Sequence, residues 1–255
     1  MSWFSFLLIL LAGFAAGVIN TIAGSGSLIT LPLLIFLGLP ANVANGTNRV
    51  AILLQNVVGS ASYRQQGVLD TKGALWLGIP AALGAILGAQ IAVDLNEAIL
   101  ERSIGIILVI MLFVVLFRPQ RWLQGTLDRL ETRPGLLHLL LFFLIGVYGG
   151  FIQAGVGIFL LAGLVLGVGY DLVRANAVKL FIVLFFTIFA LVVFIKNDQV
   201  DWVIGLVLAI GNMIGAWLAA RLAVDKGAIW VRRFLIAVIA VSAAYMLGLF
   251  DLLTL

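Results

Sequence analysis

Ala23-Gly24-Ser25-Gly26-Ser27 is a glycine-serine break inside an apolar segment that runs from about Trp3 to Leu39. A weaker copy, Gly155-Val156-Gly157, interrupts the segment from Leu136 to Gly169. Glycine permits a tight reversal and close approach of other backbone. After each break about 13 apolar residues remain, 27–39 and 157–169. At ~1.5 Å per residue such a piece spans ~20 Å, too little to cross ~30 Å of hydrocarbon. Both pieces read as half-helices, and both breaks as tips of helical hairpins that dip into a membrane.

Composition supports this. The chain has 255 residues, 64% of them hydrophobic and 10% charged, with a mean hydropathy of +1.23. Soluble domains are nearer half apolar and a quarter charged. Apolar runs near 20 residues recur along the whole length, which predicts an all-α polytopic membrane protein. The short alternating segments of a barrel are not seen. Without cysteine there are no disulfides, thiolate metal sites or thiol nucleophiles, and the single histidine, His138, excludes a histidine-rich metal site. The net charge of +4 comes from basic residues that border spans, as cytoplasmic loops do, so no nucleic-acid partner is read. Residues 1–22 carry no Lys or Arg ahead of their apolar run. They read as a retained first helix rather than a signal peptide.

The two halves repeat each other. The first repeat, 1–117, divides into a hairpin at 4–39 and helices at 47–64, 72–93 and 97–117. The second, 136–255, divides into a hairpin at 136–169 and helices at 177–196, 201–222 and 228–250. Gly13-x-x-x-Gly17 matches Gly146-x-x-x-Gly150, and Ala44-Asn45-Gly46-Thr47-Asn48 matches Ala175-Asn176-Ala177-Val178-Lys179. Gly67-Val68-Leu69-Asp70 matches Asp198-Gln199-Val200-Asp201, and Gly84-x-x-x-Gly88 matches Gly211-x-x-x-Gly215. The offset drifts only from 133 to 127 across these pairs. A duplicated half is a common transporter architecture. The basic linker, 118–135, reads either as an interfacial amphipathic helix or as a solvated connector.

Charge tests the topology. If each hairpin turns back on itself, one side of the membrane receives 12 of the 15 Lys and Arg, and the other only Arg49, Arg102 and Lys196. If each hairpin is instead one broken span, the split becomes 8 against 7. Positive-inside bias favours reversal, with the basic side cytoplasmic and both termini extracytoplasmic. Each half then crosses an odd number of times, so the repeats are inverted. Charge does not separate a re-entrant hairpin from two full spans; the shortness of 27–39 and 157–169 favours re-entry.

Polar groups in apolar surroundings mark candidate binding residues. At the first tip these are Asn20, Ser25, Gly26 and Ser27, where Ser25 or Ser27 is expected to cap the following helix and leave open N–H groups for an anion. At the second tip Gln153 aligns with Asn20; an interhelical hydrogen bond explains it equally well. Thr47, Asn48 and Arg49 are read at the start of a helix, with Lys179 at the start of its counterpart. Arg49 or Lys179 would supply positive charge to an anion if it faced the cavity; Lys179 reads equally as a topology charge. Asp70 and Asp201 read as helix N-terminal groups, and the Gly-x-x-x-Gly pairs as packing surfaces. The first tip lacks the lysine of a phosphate-binding loop, and no Asp or Glu lies deep inside a span. No catalytic residues, metal site or cofactor are read.

The motif from Gly13 through Asn20 and Gly24 to Ser27, followed by Pro32, Gly38-Leu39-Pro40 and Ala44 to Asn48, resembles the TauE/SafE sulfite-exporter family. The resemblance extends over nearly the whole chain. It implies a secondary transporter of small sulfur-containing anions, sulfite or organosulfonates such as sulfoacetate, acting in a bacterial inner membrane and usually in export. The expected partners are thus a small anionic substrate and the lipid bilayer, with a homodimer left open. The second tip departs from the first, with Val156-Gly157-Ile158 in place of Ser25-Gly26-Ser27. That shifts the expected contacts toward the first hairpin with Asn48, Arg49 and Lys179. An anion channel and a non-transporting membrane scaffold remain the alternatives.

Overall fold

The computed structural model describes residues 3–116 and 135–223. The linker up to residue 134 and the helix read at 228–250 lie outside the described residues. The described chain forms α1 (Trp3–Ile22), α2 (Ser27–Phe36), α3 (Ala41–Gln65), α4 (Thr71–Asp94), α5 (Glu97–Leu116), α6 (Leu136–Phe151), α7 (Val156–Ala162), α8 (Leu172–Lys196) and α9 (Trp202–Ala223). The helix of α7 continues as a wider π-helical stretch over Gly163–Val168. No strand occurs among the described residues.

Helices α1, α4, α8 and α9 are long and apolar enough to cross a membrane. Leu83, Ile106 and Val203 are each more than half exposed, while Arg49, Lys179, Asn45 and Asn176 are buried. An apolar exterior, with these polar side chains gathered inside an otherwise apolar core, suits a hydrocarbon solvent. Helix α3 has 25 residues but is far more polar than its neighbours, because Asn45, Asn48, Arg49, Gln55, Asn56 and Ser60 all face inward.

Two helices start earlier than the sequence suggested, and this moves four candidate residues. Helix α3 begins at Ala41 behind Pro40, not at 47, and α8 begins at Leu172, not at 177. Proline fixes its own φ and suits a helix entrance. At α8, Asp171 accepts hydrogen bonds from Val173 N and Arg174 N. Thr47, Asn48, Arg49 and Lys179 therefore sit about two turns inside their helices, and their N–H groups are not helix-terminal donors. Asp70 and Asp201 do serve at helix starts, accepting from Gly73 N and Ile204 N at 3.0 Å each.

Glycine seams join the helices. A Cβ at Gly13 would lie 2.6 Å from the Leu208 carbonyl oxygen, and one at Gly17 would strike the backbone of Asn212. Reciprocally, Gly211 and Gly215 of α9 lie against Leu10 and Phe14 of α1. Helices α4 and α6 meet in the same way, Gly84 and Gly88 against Phe143 and Val147, Gly146 and Gly150 against Ala81 and Ala85. With lipid as apolar as leucine, such close backbone approach is what holds membrane helices together. At one end of the bundle Asp201 N donates to Thr47 Oγ1 at 2.8 Å. At the other, the Tyr170 hydroxyl donates to Asp70 Oδ2 at 2.6 Å.

Candidate functional site

The two glycine breaks meet. Gly24 has φ +75° and Gly155 has φ +73°, left-handed values that a side chain rarely adopts. Gly157 N donates to the Gly24 carbonyl at 3.1 Å, and their α-carbons are so close that neither position admits a Cβ. Gln153, without the freedom of glycine, holds φ +65° at the second turn, a conformation that costs energy and persists only where contacts enforce it. Tyr148, whose hydroxyl donates to the Ala154 carbonyl, and Arg49 supply such contacts.

The ends of α1 and α6 are each clasped by a cation from the opposite half of the chain. Arg49 of α3 donates through Nη1 to the Gly149 carbonyl at 3.0 Å and to Gln153 Oε1 at 3.2 Å. Through Nη2 it donates to the carbonyls of Gly150, at 2.6 Å, and Phe151, at 3.3 Å. The face of its guanidinium lies 4.5 Å from the Phe194 ring centre. Lys179 of α8 donates to the carbonyls of Asn20 and Thr21, at 2.8 and 2.9 Å, and to Asn176 Oδ1 at 2.7 Å. The last carbonyls of a helix have no intrahelical donor and carry partial negative charge. A buried cation at the end of α1, and another at the end of α6, answers both needs.

Beside the touching glycines lies a cavity with about 260 Å³ of space free of atoms, its opening included. Asn20, Ser27, Gln55, Asn56, Gln153 and Lys179 supply its polar lining, with Ile52, Val156, Leu180 and Val183 as apolar wall. Asn20 Nδ2 donates to Gln55 Oε1 at 3.1 Å, and Gln153 Nε2 to Thr187 Oγ1 at 2.9 Å. Each tip thus reaches across to a long helix through an amide.

Of the residues singled out in the sequence, Asn20, Ser27, Gln153 and Lys179 line this cavity. Ser25 and Gly26 form the turn behind it. Thr47 faces the start of α9, and Asn48 Oδ1 accepts from Thr30 Oγ1 at 2.7 Å, tying α2 to α3. Arg49 is not part of the lining; it is committed to α6. Serine capping at the first tip is corrected as well. The residue preceding α2 is Gly26, and no side-chain hydrogen bond caps the helix there. Asn20 Oδ1 instead accepts from Gly26 N at 2.8 Å. At the second tip Val156, Gly157 and Ile158 donate to Gln153, Gly24 and Gly155 carbonyls. Buried N–H groups need partners, so the tips are largely self-satisfied, and the donors left for a ligand are side chains. Gln55 and Asn56 were missed in the sequence, although Asn45, Asn48, Arg49, Gln55, Asn56 and Ser60 of α3 recur at helical spacing along an inward face.

The sequence model of the sulfite exporter TauE/SafE family matches residues 9–246. The chain belongs to that family of membrane transporters. A probable membrane transporter protein of a Sinorhizobium species is 30% identical over 228 residues, covering 89% of this chain and 86% of that one. Another from Haemophilus influenzae is 28% identical over 221 residues, 86% of each chain. The probable membrane transporter protein YfcA of Escherichia coli K12 is 28% identical over 234 residues, 91% of this chain and 86% of its own. No solved structure matches the chain. The TauE/SafE match takes in both glycine breaks and every residue that lines the cavity.

Proposed function

We propose that this TauE/SafE protein is a secondary transporter that exports a small sulfur-containing oxyanion, sulfite or an organosulfonate such as sulfoacetate, by alternating access around the cavity between the hairpin tips. The observation that carries the reading is that cavity. It combines amide and hydroxyl donors with the positive charge of Lys179, whose three N–H bonds go to Asn20, Thr21 and Asn176, beside two broken helices. Broken helices at a repeat interface are the usual binding elements of secondary transporters. In this reading Asn20, Ser27 and Gln153 contact the anion together with Gln55 and Asn56, and Lys179 supplies positive charge to the cavity. Ser25 and Gly26 shape the turn, while Thr47, Asn48 and Arg49 hold the surrounding helices.

The same reading takes the halves as inverted repeats with re-entrant hairpins. Leu10 and Phe14 at one seam stand 133 residues before Phe143 and Val147 at the other, and Gly84 and Gly88 stand 127 before Gly211 and Gly215. These are the offsets of the sequence repeat. Gly24 and Gly157, which touch, are also 133 apart, as expected at a two-fold axis. The backbone of Gly26 packs on the Ala16 carbonyl, consistent with α2 folding back along α1. With the buried Arg49 and Lys179 set aside, the remaining Lys and Arg divide 11 against 2. That bias favours a cytoplasmic basic end and extracytoplasmic termini.

Thermal unfolding of the purified protein over a panel of sulfite, sulfate, sulfoacetate, taurine and short carboxylates tests the site. A ligand at ~100 times its dissociation constant adds ~2.7 kcal/mol to the native state. Selective stabilisation by sulfite or a sulfonate, weakened in Ser27→Ala, is the expected result. A panel without any selective shift in well-folded protein would remove the anion site from this cavity.

A further inference from the structure

From the cavity, four of the nine buried polar atoms without partners among the described residues fall in a line; the other five belong to Arg49, His138, Gln199 and Asn212. Among the described residues, Asn56 Oδ1, Ser60 Oγ and Tyr63 Oη of α3 and Asn176 Nδ2 of α8 are inaccessible and have no hydrogen-bond partner. Their residues are 1%, 5%, 0% and 0% exposed. Positions 56, 60 and 63 lie on one helix face and cover ~10 Å of its length. Gly46 lies against Phe194 and Gly59 against Leu180, so α3 and α8 run antiparallel, with Tyr63 at the depth of Asn176. The stripe begins at the cavity, which Asn56 lines, and ends two residues short of the terminus of α3.

The equivalent face of the other half is different. Counting 131 residues on, the offset of Asn45 and Asn176, gives Thr187, Leu191 and Phe194. Thr187 is engaged by Gln153, Leu191 is apolar, and Phe194 lies under Arg49. The polar stripe therefore leads only toward the end that carries Arg64, Lys72 and Arg174. Nor are its hydroxyls satisfied by their own helix, as Thr21 Oγ1 is by the Gly17 carbonyl. Buried polar groups find partners in protein or in ordered water. The described residues supply none for these four atoms. Between Asn56 and Ser60, the Leu180 side chain presses on Gly59, 2.6 Å from where a Cβ would stand.

We propose that this stripe is a water-filled access path along which a small hydrated anion moves between the cavity and the basic end of the bundle, with Leu180 as its constriction. What travels along the path rests on the proposed transport function; its hydration does not.

The chain has no cysteine, so single cysteines report directly. Asn56→Cys, Ser60→Cys and Tyr63→Cys are made in the full-length protein, with Val57→Cys, Leu191→Cys and Gln66→Cys as references. Each is exposed in membrane vesicles of both orientations to sulfonatoethyl methanethiosulfonate, an anionic thiol reagent. Val57 is the apt control, adjacent in sequence but 47% exposed on the outer face. The path predicts that Ser60→Cys and Tyr63→Cys react at least about tenfold faster than Val57→Cys and Leu191→Cys, since a thiolate needs water to form. They react in the vesicle orientation in which Gln66→Cys reacts, and adding Leu180→Ala speeds labelling at Asn56→Cys. Cysteines at 60 and 63 that are as inert as the one at 57, in vesicles where Gln66→Cys reacts, would overturn the path. Labelling that proceeds but is not slowed by sulfoacetate, which does not react with the reagent as sulfite does, would support the path and count against the proposed substrate instead.

Discussion

Replacing Arg49 with methionine removes a clasp, and the structure sets the scale of the loss. The side chain is buried and donates to carbonyls of Gly149, Gly150 and Phe151, and to Gln153 and Asn45. Phe151 keeps a second donor, Asn45 Nδ2 at 2.8 Å. The Gly149 and Gly150 carbonyls, Gln153 Oε1 and Asn45 Oδ1 lose their donors. An unsatisfied buried group costs about 1–3 kcal/mol, and partial re-hydration lowers the total, so Arg49→Met is expected to destabilise by about 3–5 kcal/mol. At 1.4 kcal/mol per decade this lowers the folding equilibrium by about two to three and a half decades. Arg49→Lys should recover less than half of it, because an ammonium is a point charge and cannot span a fork of carbonyls. Denaturant unfolding at fixed detergent composition, followed by intrinsic fluorescence, measures all three proteins. Anion-induced stabilisation of Arg49→Lys should stay close to that of the unmodified protein, because Arg49 lies outside the cavity lining. An Arg49→Met protein within about 1 kcal/mol of the original, or an Arg49→Lys protein that folds normally but loses anion binding, would refute the clasp.

Two further outcomes follow from other contacts. Gly146→Leu places side-chain atoms against the Ala81 backbone, which cannot yield, and should cost at least about 2 kcal/mol. A Cβ at Gly105 meets nothing within 4 Å among the described residues, so Gly105→Leu should be nearly neutral; thermal unfolding of the pair checks the contrast. The Tyr170 phenol, in the turn before α8, is pushed upward in pKa by burial and by its hydrogen bond to the Asp70 carboxylate. A raised phenol contributes stability that is complete below its ordinary pKa of about 10 and is lost as pH climbs above it. Unfolding measured between neutral and strongly alkaline pH should show that loss, reduced in Tyr170→Phe.

Much of the architecture is written in small residues. Gly24 and Gly157 were visible as breaks because an apolar run tolerates a turn only where the side chain vanishes. The Gly-x-x-x-Gly pairs were visible because their spacing is that of one helix face. The positions of Arg49 and Lys179 were not visible. Both were placed at helix starts, since a cation in a long apolar helix is costly alone. What lowers that cost is a set of carbonyls from the other half of the chain, more than 90 residues away in either case, and no local pattern announces it. Pro40 and Asp171 could have set the true helix starts by their caps. Gln55 and Asn56 lie inside the helix read at 47–64 and were legible there as part of one polar face with Asn48 and Ser60. The open N–H groups expected at the tips are filled by Asn20 and by the opposite glycine, a pairing that arises only when the two hairpins meet.

The most direct test is flux of radiolabelled sulfite and sulfoacetate through the purified protein in sealed liposomes, with the unlabelled anion inside or absent. The account predicts saturable uptake that internal anion accelerates and that Ser27→Ala reduces. Flux that rises without saturation and ignores internal anion would contradict alternating access. No flux of any panel anion, by protein that spans the vesicle membrane intact, would contradict the transport of small oxyanions through this cavity.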